Sequence, residues 1–138
     1  MSGEGPVIGT RVVHRRYVPH SHAHYAGSLV DGAYGLGLFG DVATEMCIRT
    51  DGDEGLFAGY ADVRFLAPVR AGDVVEATAE LVALGTRSRT LELALRVVAR
   101  GCGSAAQPGA AEVLEPPLLA TTARGTVVVP GAIAHATG

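Results

Sequence analysis

Apolar residues recur along the chain with two different periods, one typical of strands and the other of a helix. Residues 10–18 are rich in β-branched and aromatic side chains and predict a first strand, which Pro19 ends. Between residues 28 and 49 the period becomes helical, and Ser28 followed three residues later by Asp31 predicts the start of this helix. The pattern therefore places one long helix soon after the first strand.

Four more strands are predicted after the helix, because apolar residues then fall at every second position. These strands cover residues 57–67, 73–84, 89–100 and 119–130. Alternation of this kind is typical of antiparallel strands with one covered face. Between the last two strands, the Gly-, Ala- and Pro-rich residues 101–118 predict a long loop.

This order predicts an α+β fold in which one curved antiparallel sheet surrounds one central helix. The helix has glycines at positions 32, 35, 37 and 40, which are unfavourable in an exposed helix and indicate that other surfaces approach it closely. A half-shell of this shape leaves an open edge, so we expect a homodimer or a larger dimer-based homo-oligomer. We interpret residues 1–138 as a single domain, with residues 1–9 as a loose N-terminal arm.

Composition and charge argue against several classes of protein. Of the 138 residues, 48% are hydrophobic and 18% are charged, which is typical of a globular chain and not of a disordered one. A net charge of -3 and a pI near 5.9 argue against nucleic acid as the main partner. The sequence shows neither a signal peptide nor an apolar run long enough to cross a membrane, and it therefore predicts a soluble cytoplasmic protein.

The predicted helix carries two acids, Asp41 and Glu45, within an otherwise apolar stretch. Residues four apart share one face of a helix, where two like charges repel and are costly beside a core. In one interpretation a cationic group binds between the two acids, and without it their proximity raises the pKa of one of them. In the other, Glu45 pairs with Arg49 and Asp41 is exposed on the wet side of the helix. The residues alone leave both interpretations open.

Several separated motifs resemble known families of enzymes that act on coenzyme A thioesters. The stretch FLAPVRAGDVVEATAELVALGTRS, at residues 65–88, looks like the hotdog fold of acyl-CoA thioesterases and dehydratases. The motifs AHYAGSLVDGA, GDVATE, DGDEGLFAGY and EPPLLATTARGTVVV together resemble the β-aminoacyl-CoA ammonia lyases in order and spacing. This resemblance covers residues 12–130 and implies an Asn where the chain has Ser28.

The resemblance implies a hotdog fold and a carbon–nitrogen lyase. Such an enzyme interconverts a short β-aminoacyl-CoA, of the 3-aminobutyryl-CoA or β-alanyl-CoA type, with an enoyl-CoA and ammonia. The thioester oxygen of the substrate needs N–H donors at a helix N-terminus, and we expect Gly32 and Ala33 to supply them. We assign Glu45 as the base and Asp41 as the ammonium anchor or proton partner, although the two roles can be exchanged. His24 either orients a carboxylate or contacts substrate, or it makes a structural hydrogen bond.

Other candidate residues are expected to bind substrate. Next to the helix start lie Ser28, Asp31 and Tyr25, although Asp31 can equally be a helix-start acid and Tyr25 a packed side chain. A predicted hairpin tip offers side chains that either bind the phosphates of coenzyme A or are simply solvated, namely Arg87, Ser88 and Arg89.

Neither a metal nor a prosthetic group is predicted, and coenzyme A enters only as part of the substrate. The H-x-H-x-H run at His20, His22 and His24 lacks the further ligands that a metal site needs. Two other functions stay open. A short-chain acyl-CoA thioesterase would release free thiol, and a non-catalytic acyl-CoA binding module would bind the ester without turnover.

Overall fold

An antiparallel sheet of five strands packs around one helix in the computed structural model, which describes residues 5–130. In chain order the elements are β1 (Arg11–Tyr17), β2 (Ala23–Tyr25), β3 (Leu29–Val30), α1 (Gly32–Asp51), β4 (Leu56–Phe65), β5 (Val74–Leu84), β6 (Ser88–Gly101) and β7 (Ala111–Val128). Single 3₁₀ turns cover His20–His22 and Ala26–Ser28. Of the predicted N-terminal arm, residues 1–4 lie outside the described residues.

The strand order in the sheet is β1-β5-β6-β7-β4, so β1 and β4 form its two edges. Every neighbouring pair is antiparallel. The predicted alternation is confirmed over most of the three central strands, where these inward residues are buried: Val75, Ala77, Ala79, Leu81, Leu91, Leu93, Leu95, Val97, Ala123 and Val127. It ends before Ala83 of β5, which was predicted to face inward but is exposed beyond a register shift with β6. Helix α1 packs on this face, mainly against β5 and β1. No helix within residues 5–130 is long and apolar enough to cross a membrane.

Helix α1 begins at Gly32, which corrects the predicted start at Ser28. Ser28 has a φ of +62°, a left-handed conformation that does not open a helix. The cap is Asp31, whose side chain accepts a hydrogen bond from the Tyr34 N–H at 3.1 Å. At the other end Gly52 adopts the left-handed conformation and its N–H bonds to the Ile48 carbonyl.

The glycines of α1 fall into two groups. A Cβ built on Gly35 would lie 3.0 Å from the Leu95 side chain, and one built on Gly32 would lie 2.5 Å from the Phe65 ring. These two positions confirm the predicted close approach of other surfaces. A Cβ on Gly37 or Gly40 would meet no atom of the described chain within 4 Å. The fold of a single copy therefore gives no reason for the second group.

The connection between β6 and β7 is shorter than predicted. It covers residues 102–110, because β7 already begins at Ala111, whereas the sequence predicted a loop over 101–118. The two prolines of EVLEPPL misled the prediction, since proline is rare in a paired strand. They lie between Val113 and Leu118, where the pairing register of β7 with β6 shifts. Proline is tolerated at such an interruption because no ladder hydrogen bond is lost.

Strand β4 departs from strict alternation. Phe57, Ala61, Val63 and Phe65 were predicted to share the inner face, but only Phe57 and Val63 pack against the core. The register with β7 shifts beyond Ala61, and Asp62 has a φ of +53°. A bulge of this kind turns the following side chains. It leaves Phe65 59% exposed, beside the start of α1.

Candidate active site

A cavity of about 420 Å³ opens at the N-terminus of α1. Its walls come from the start of the helix, from β3 and from the segment that follows β4, with Gly32, Tyr34, Phe65, Pro68 and Thr121 among its lining residues. The first turn of a helix presents N–H groups and the positive end of the helix dipole. This cavity can therefore receive a group that carries or develops negative charge, such as a thioester oxygen.

Some of the predicted substrate-binding residues lie at this cavity and others do not. Tyr25, Asp31 and Gly32 line it. Ala33 and Ser28 are exposed and lie outside its lining. Asp31 has the helix-capping role that the sequence left open, and it also borders the cavity. The structure thus brings together three of the five residues predicted to bind the acyl group.

The predicted catalytic histidine, His24, is not among the residues that line the cavity, but it contacts two that are, Asp31 and Tyr25. His24 Nδ1 is 3.8 Å from Asp31 Oδ2, which is too long for a hydrogen bond but close enough for an electrostatic contact. Its ring meets the Tyr25 ring edge-on, with centroids 4.6 Å apart. Both side chains are exposed. Among residues 5–130, no group of three potential metal ligands comes together.

Glu45 is held by two partners, one from its own helix and one from β1. Its Oε2 accepts from Arg49 Nε at 2.6 Å, and its Oε1 lies 2.6 Å from His14 Nε2. The hydrogen bond from Arg49, followed by the one from His14, lowers the pKa of this carboxyl below its ordinary value. The predicted pairing of Glu45 with Arg49 is confirmed. The other interpretation expected a raised pKa for one of the two acids, and for Glu45 the direction is the opposite. Asp41 is exposed, as the same interpretation expected.

The cavity and the two helix acids lie far apart within one chain. A helix rises about 1.5 Å per residue, so Gly32 and Asp41 are separated by roughly 14 Å, and Gly32 and Glu45 by roughly 20 Å. A short acyl chain spans only a few ångströms between its thioester oxygen and its amine. Gly32 and Glu45 of the same copy therefore do not reach the same reacting atoms.

Arg89 does not fit its predicted role in binding the phosphates of coenzyme A. Its side chain is only 6% exposed, and it donates to Asp51 Oδ1 at 2.8 Å and to Oδ2 at 3.1 Å. Its Nη1 donates to the carbonyls of Gly85 and Ser88. The guanidinium thus joins the end of α1 to the β5–β6 turn, a structural role. Arg87 is exposed beside it and stays a candidate ligand.

Sequence patterns missed a buried ion pair that shapes one wall of the cavity. Asp73 is 1% exposed and accepts from Arg100 Nη2 at 2.8 Å, from Arg100 Nε at 3.0 Å and from the Arg70 N–H at 2.8 Å. Arg100 also donates to the carbonyl of Pro68, a lining residue. Asp73 and Arg100 lie 27 positions apart, so no local pattern could have predicted the pair.

Ser28 is a point of backbone strain, because residues other than Gly, Asn and Asp rarely adopt a φ near +62°. Asn tolerates this conformation better, so we expect Ser28→Asn to stabilise the fold by about 0.5 kcal/mol. Chemical denaturation measures the change. The matched control is Ser21→Asn, in the same exposed segment but without a positive φ, which should leave stability unchanged. Equal effects of the two variants would contradict the strain account.

Comparisons with known proteins agree with this geometry. The profile of the thioesterase superfamily matches residues 32–102. A 3-aminobutyryl-CoA ammonia lyase from Acetoanaerobium sticklandii is 48% identical over 110 residues, covering 78% of this chain and 85% of that protein. The solved β-alanyl-CoA:ammonia lyase from Clostridium propionicum is 37% identical, with a TM-score of 0.84 over 90% of this chain and 87% of that one.

More distant structures share the fold alone. An acyl-CoA hydrolase from Staphylococcus aureus, solved with butyryl coenzyme A, is 18% identical with a TM-score of 0.66, covering 86% of this chain and 62% of that one. A hexameric hotdog-fold thioesterase from Campylobacter jejuni is 16% identical with a TM-score of 0.65, covering 83% and 79%. Fold and cavity thus define a hotdog protein of the thioesterase superfamily, as predicted. Within that superfamily the chain belongs to the β-aminoacyl-CoA ammonia lyases, which are carbon–nitrogen lyases.

Proposed function

We propose that this enzyme interconverts a short β-aminoacyl-CoA with the corresponding enoyl-CoA and ammonia. The observation that carries this proposal is the 48% identity to a 3-aminobutyryl-CoA ammonia lyase over most of both chains. The thioesterase structures named above are at most 18% identical and support the fold only. Coenzyme A is part of the substrate, and the reaction as written needs no prosthetic group. We place the enzyme in the cytoplasm.

The elimination divides into three tasks for the protein. The N–H group of Gly32, at the start of α1, stabilises negative charge on the thioester oxygen. Glu45 takes the proton from Cα, and its lowered pKa keeps it ionised at neutral pH. Asp41 binds the substrate ammonium. The C–N bond then breaks, its electron pair leaves with ammonia, and the Cα–H pair becomes the new C=C bond.

This division requires two copies of the chain, because the start of α1 and Glu45 are roughly 20 Å apart in one copy. A two-fold pairing with antiparallel α1 helices sets the cavity of one copy beside Asp41 and Glu45 of the other. Two features support it. Gly37 and Gly40 leave open space along the outer face of α1, and the edge strand β4 exposes Leu56 at 63%.

We expect Gly37→Ala to weaken the assembly about tenfold. An added methyl group in a packed interface costs about 1–3 kcal/mol, and 1.4 kcal/mol is a factor of ten in the dissociation constant. On a free helix face, Ala in place of Gly would instead stabilise by about 1 kcal/mol. Sedimentation over a range of protein concentrations measures the change.

The matched control is Gly109→Ala, in the β6–β7 connection, where a Cβ also meets no atom within 4 Å. It should leave the assembly unchanged. A Gly37→Ala variant that is more stable, yet assembles with an unaltered dissociation constant, would rule out a second copy on this face.

The proposed activity is tested by incubating the protein with ammonia and a panel of short enoyl-CoA esters, including acryloyl-CoA and crotonyl-CoA. Mass spectrometry should detect a β-aminoacyl-CoA that forms in proportion to enzyme. The absence of this product across the whole panel would refute the proposal. Tight ester binding without turnover would then favour a binding module, and release of free thiol would favour a thioesterase.

Arg87 and Ser88 complete the proposed site as ligands of the coenzyme A phosphates. Arg87 is exposed at the β5–β6 turn, where a guanidinium can pair with phosphate in a bidentate manner. The buried Arg89 fixes this turn by its bonds to the carbonyls of Gly85 and Ser88. The two neighbouring arginines thus have different roles, one binding substrate and the other holding the turn.

A further inference from the structure

His14 on β1 connects the sheet to the carboxylate of Glu45 on α1. Its side chain is 16% exposed, and its Nε2 lies 2.6 Å from Glu45 Oε1. On the other side of the ring, Arg16 Nη2 lies 3.4 Å from His14 Nδ1. Both ring nitrogens of one histidine therefore have charged partners, of opposite sign.

These two contacts define the protonation state of the ring. A guanidinium has only N–H donors, so the contact with Arg16 requires Nδ1 to accept. The hydrogen of a neutral imidazole must then be on Nε2, from which it is donated to Glu45 Oε1. A proton on Nδ1 would point at the guanidinium of Arg16 and would be repelled by it.

We infer that Arg16 holds His14 as the neutral Nε2–H tautomer and that His14 in this form is a positioning residue for Glu45. With His14 donating to Oε1 and Arg49 donating to Oε2, the plane of the carboxylate is fixed from two elements, β1 and α1. The remaining lone pairs stay available to the substrate. This inference rests on the proposed function only where it concerns the role of Glu45 as base.

The surroundings of His14 contain few other charges. Its pairing partner on β5 is Ala77, which is buried and uncharged. The next residue, Arg15, points to the opposite face and pairs with Glu76 at 2.6 Å. On α1, Glu45 contacts the ring and Arg49 binds the other oxygen of that carboxylate, with Asp41 one turn before Glu45 on the same face of the helix. On β1, Arg16 contacts the ring. Glu45 and Arg16 are therefore the two charged groups in contact with the ring nitrogens.

The tautomer is measured without any activity. Spectra of the protein with ¹⁵N-labelled histidine should show His14 at neutral pH with a protonated Nε2 and an unprotonated Nδ1. In Arg16→Met, the fraction of His14 that carries its hydrogen on Nδ1 should grow, because the donor that faces this nitrogen is removed. A wild-type ring that is charged at pH 7, or that has its proton on Nδ1, would overturn the inference.

The positioning role is measured by two substitutions of His14. His14→Gln keeps an N–H donor near the position of Nε2 and should retain most of kcat. His14→Leu removes the donor and should lower kcat roughly tenfold to a hundredfold, with little change in KM, because a small misplacement of a reacting group has effects of this size. Equal kcat values for wild type and His14→Leu would overturn the role, as would equal losses in the Leu and Gln variants.

Arg15→Gln is the matched control, since it removes an ion pair of the same length from the next residue on the same strand, but on the outer face. It should keep wild-type kcat and a wild-type His14 spectrum. The two proposals fail in different ways. If Glu45→Gln is fully active, Glu45 is not the base, whereas the spectra of His14 still decide its tautomer.

Discussion

Glu45→Gln is expected to lower kcat by about 10²–10⁴, the usual contribution of a general base. Gln has nearly the same shape and can still accept a hydrogen bond from Arg49 or His14, but it does not take up the α-proton. The oligomer and the far-ultraviolet spectrum should be unchanged. Steady-state kinetics of ammonia release measure the effect.

The matched control is Glu76→Gln on the outer face, because Glu76 also pairs with an arginine at 2.6 Å. It should keep wild-type kcat. A Glu45→Gln enzyme with near-normal turnover, or a Glu76→Gln enzyme that is equally impaired, would contradict the assignment of the base.

Glu45→Gln also changes how the stability of the protein depends on pH. Because Arg49 and His14 lower the pKa of folded Glu45 below its ordinary value of 4.5, the unfolded chain binds the proton more tightly. The stabilisation is therefore fully present above that ordinary pKa and is lost as the pH falls through the lowered one. The difference in melting temperature between wild type and Glu45→Gln should disappear on acidification. A difference that persists in acid would have another origin.

The largest expected effect on stability belongs to Arg89→Met. The Arg89–Asp51 pair is buried, with side chains 6% and 8% exposed. Arg89→Met removes the guanidinium that pairs with Asp51 at this buried position, and breaking a buried pair in this way costs about 3–5 kcal/mol. For a chain of this size the melting temperature should fall by roughly 10 °C.

Arg124→Met is the control for this prediction. Arg124 pairs with Glu92 at 2.7 Å, but the two side chains are 52% and 50% exposed, so the variant should lose at most about 1 kcal/mol. If both variants lose the same stability, burial does not decide the strength of these pairs. If Arg89→Met instead folds normally and raises KM alone, Arg89 binds coenzyme A after all.

Local patterns predicted the elements of the fold wherever one physical effect dominated. Alternation predicted most of the inward faces of β5, β6 and β7, because one face of each strand lies in the hydrophobic core that α1 shares. The prediction was wrong where tertiary contacts override the local pattern. The two prolines after Leu114 are accommodated by a register shift with β6, and the bulge at Asp62 exposes Phe65. Neither the shift nor the bulge is visible in the periodicity of a single strand.

Within the candidate site, the sequence predicted only the contacts between residues of one helix. The spacing of Glu45 and Arg49 gave the ion pair, because residues four apart share a face. His14 was missed because it is 31 positions away on another strand. The burial of Arg89 was missed because the turn residues just before it, up to Arg87, are exposed, whereas its own side chain is covered by the end of α1.

The most direct measurement is the stoichiometry of products from 3-aminobutyryl-CoA. Ammonia, enoyl thioester and free thiol are determined in the same reaction, with Glu45→Gln as the inactive reference. The lyase mechanism predicts equal amounts of ammonia and enoyl-CoA, with thiol at the level of the reference. Release of thiol with 3-aminobutyrate, in the absence of ammonia, would contradict it and make the protein a thioesterase.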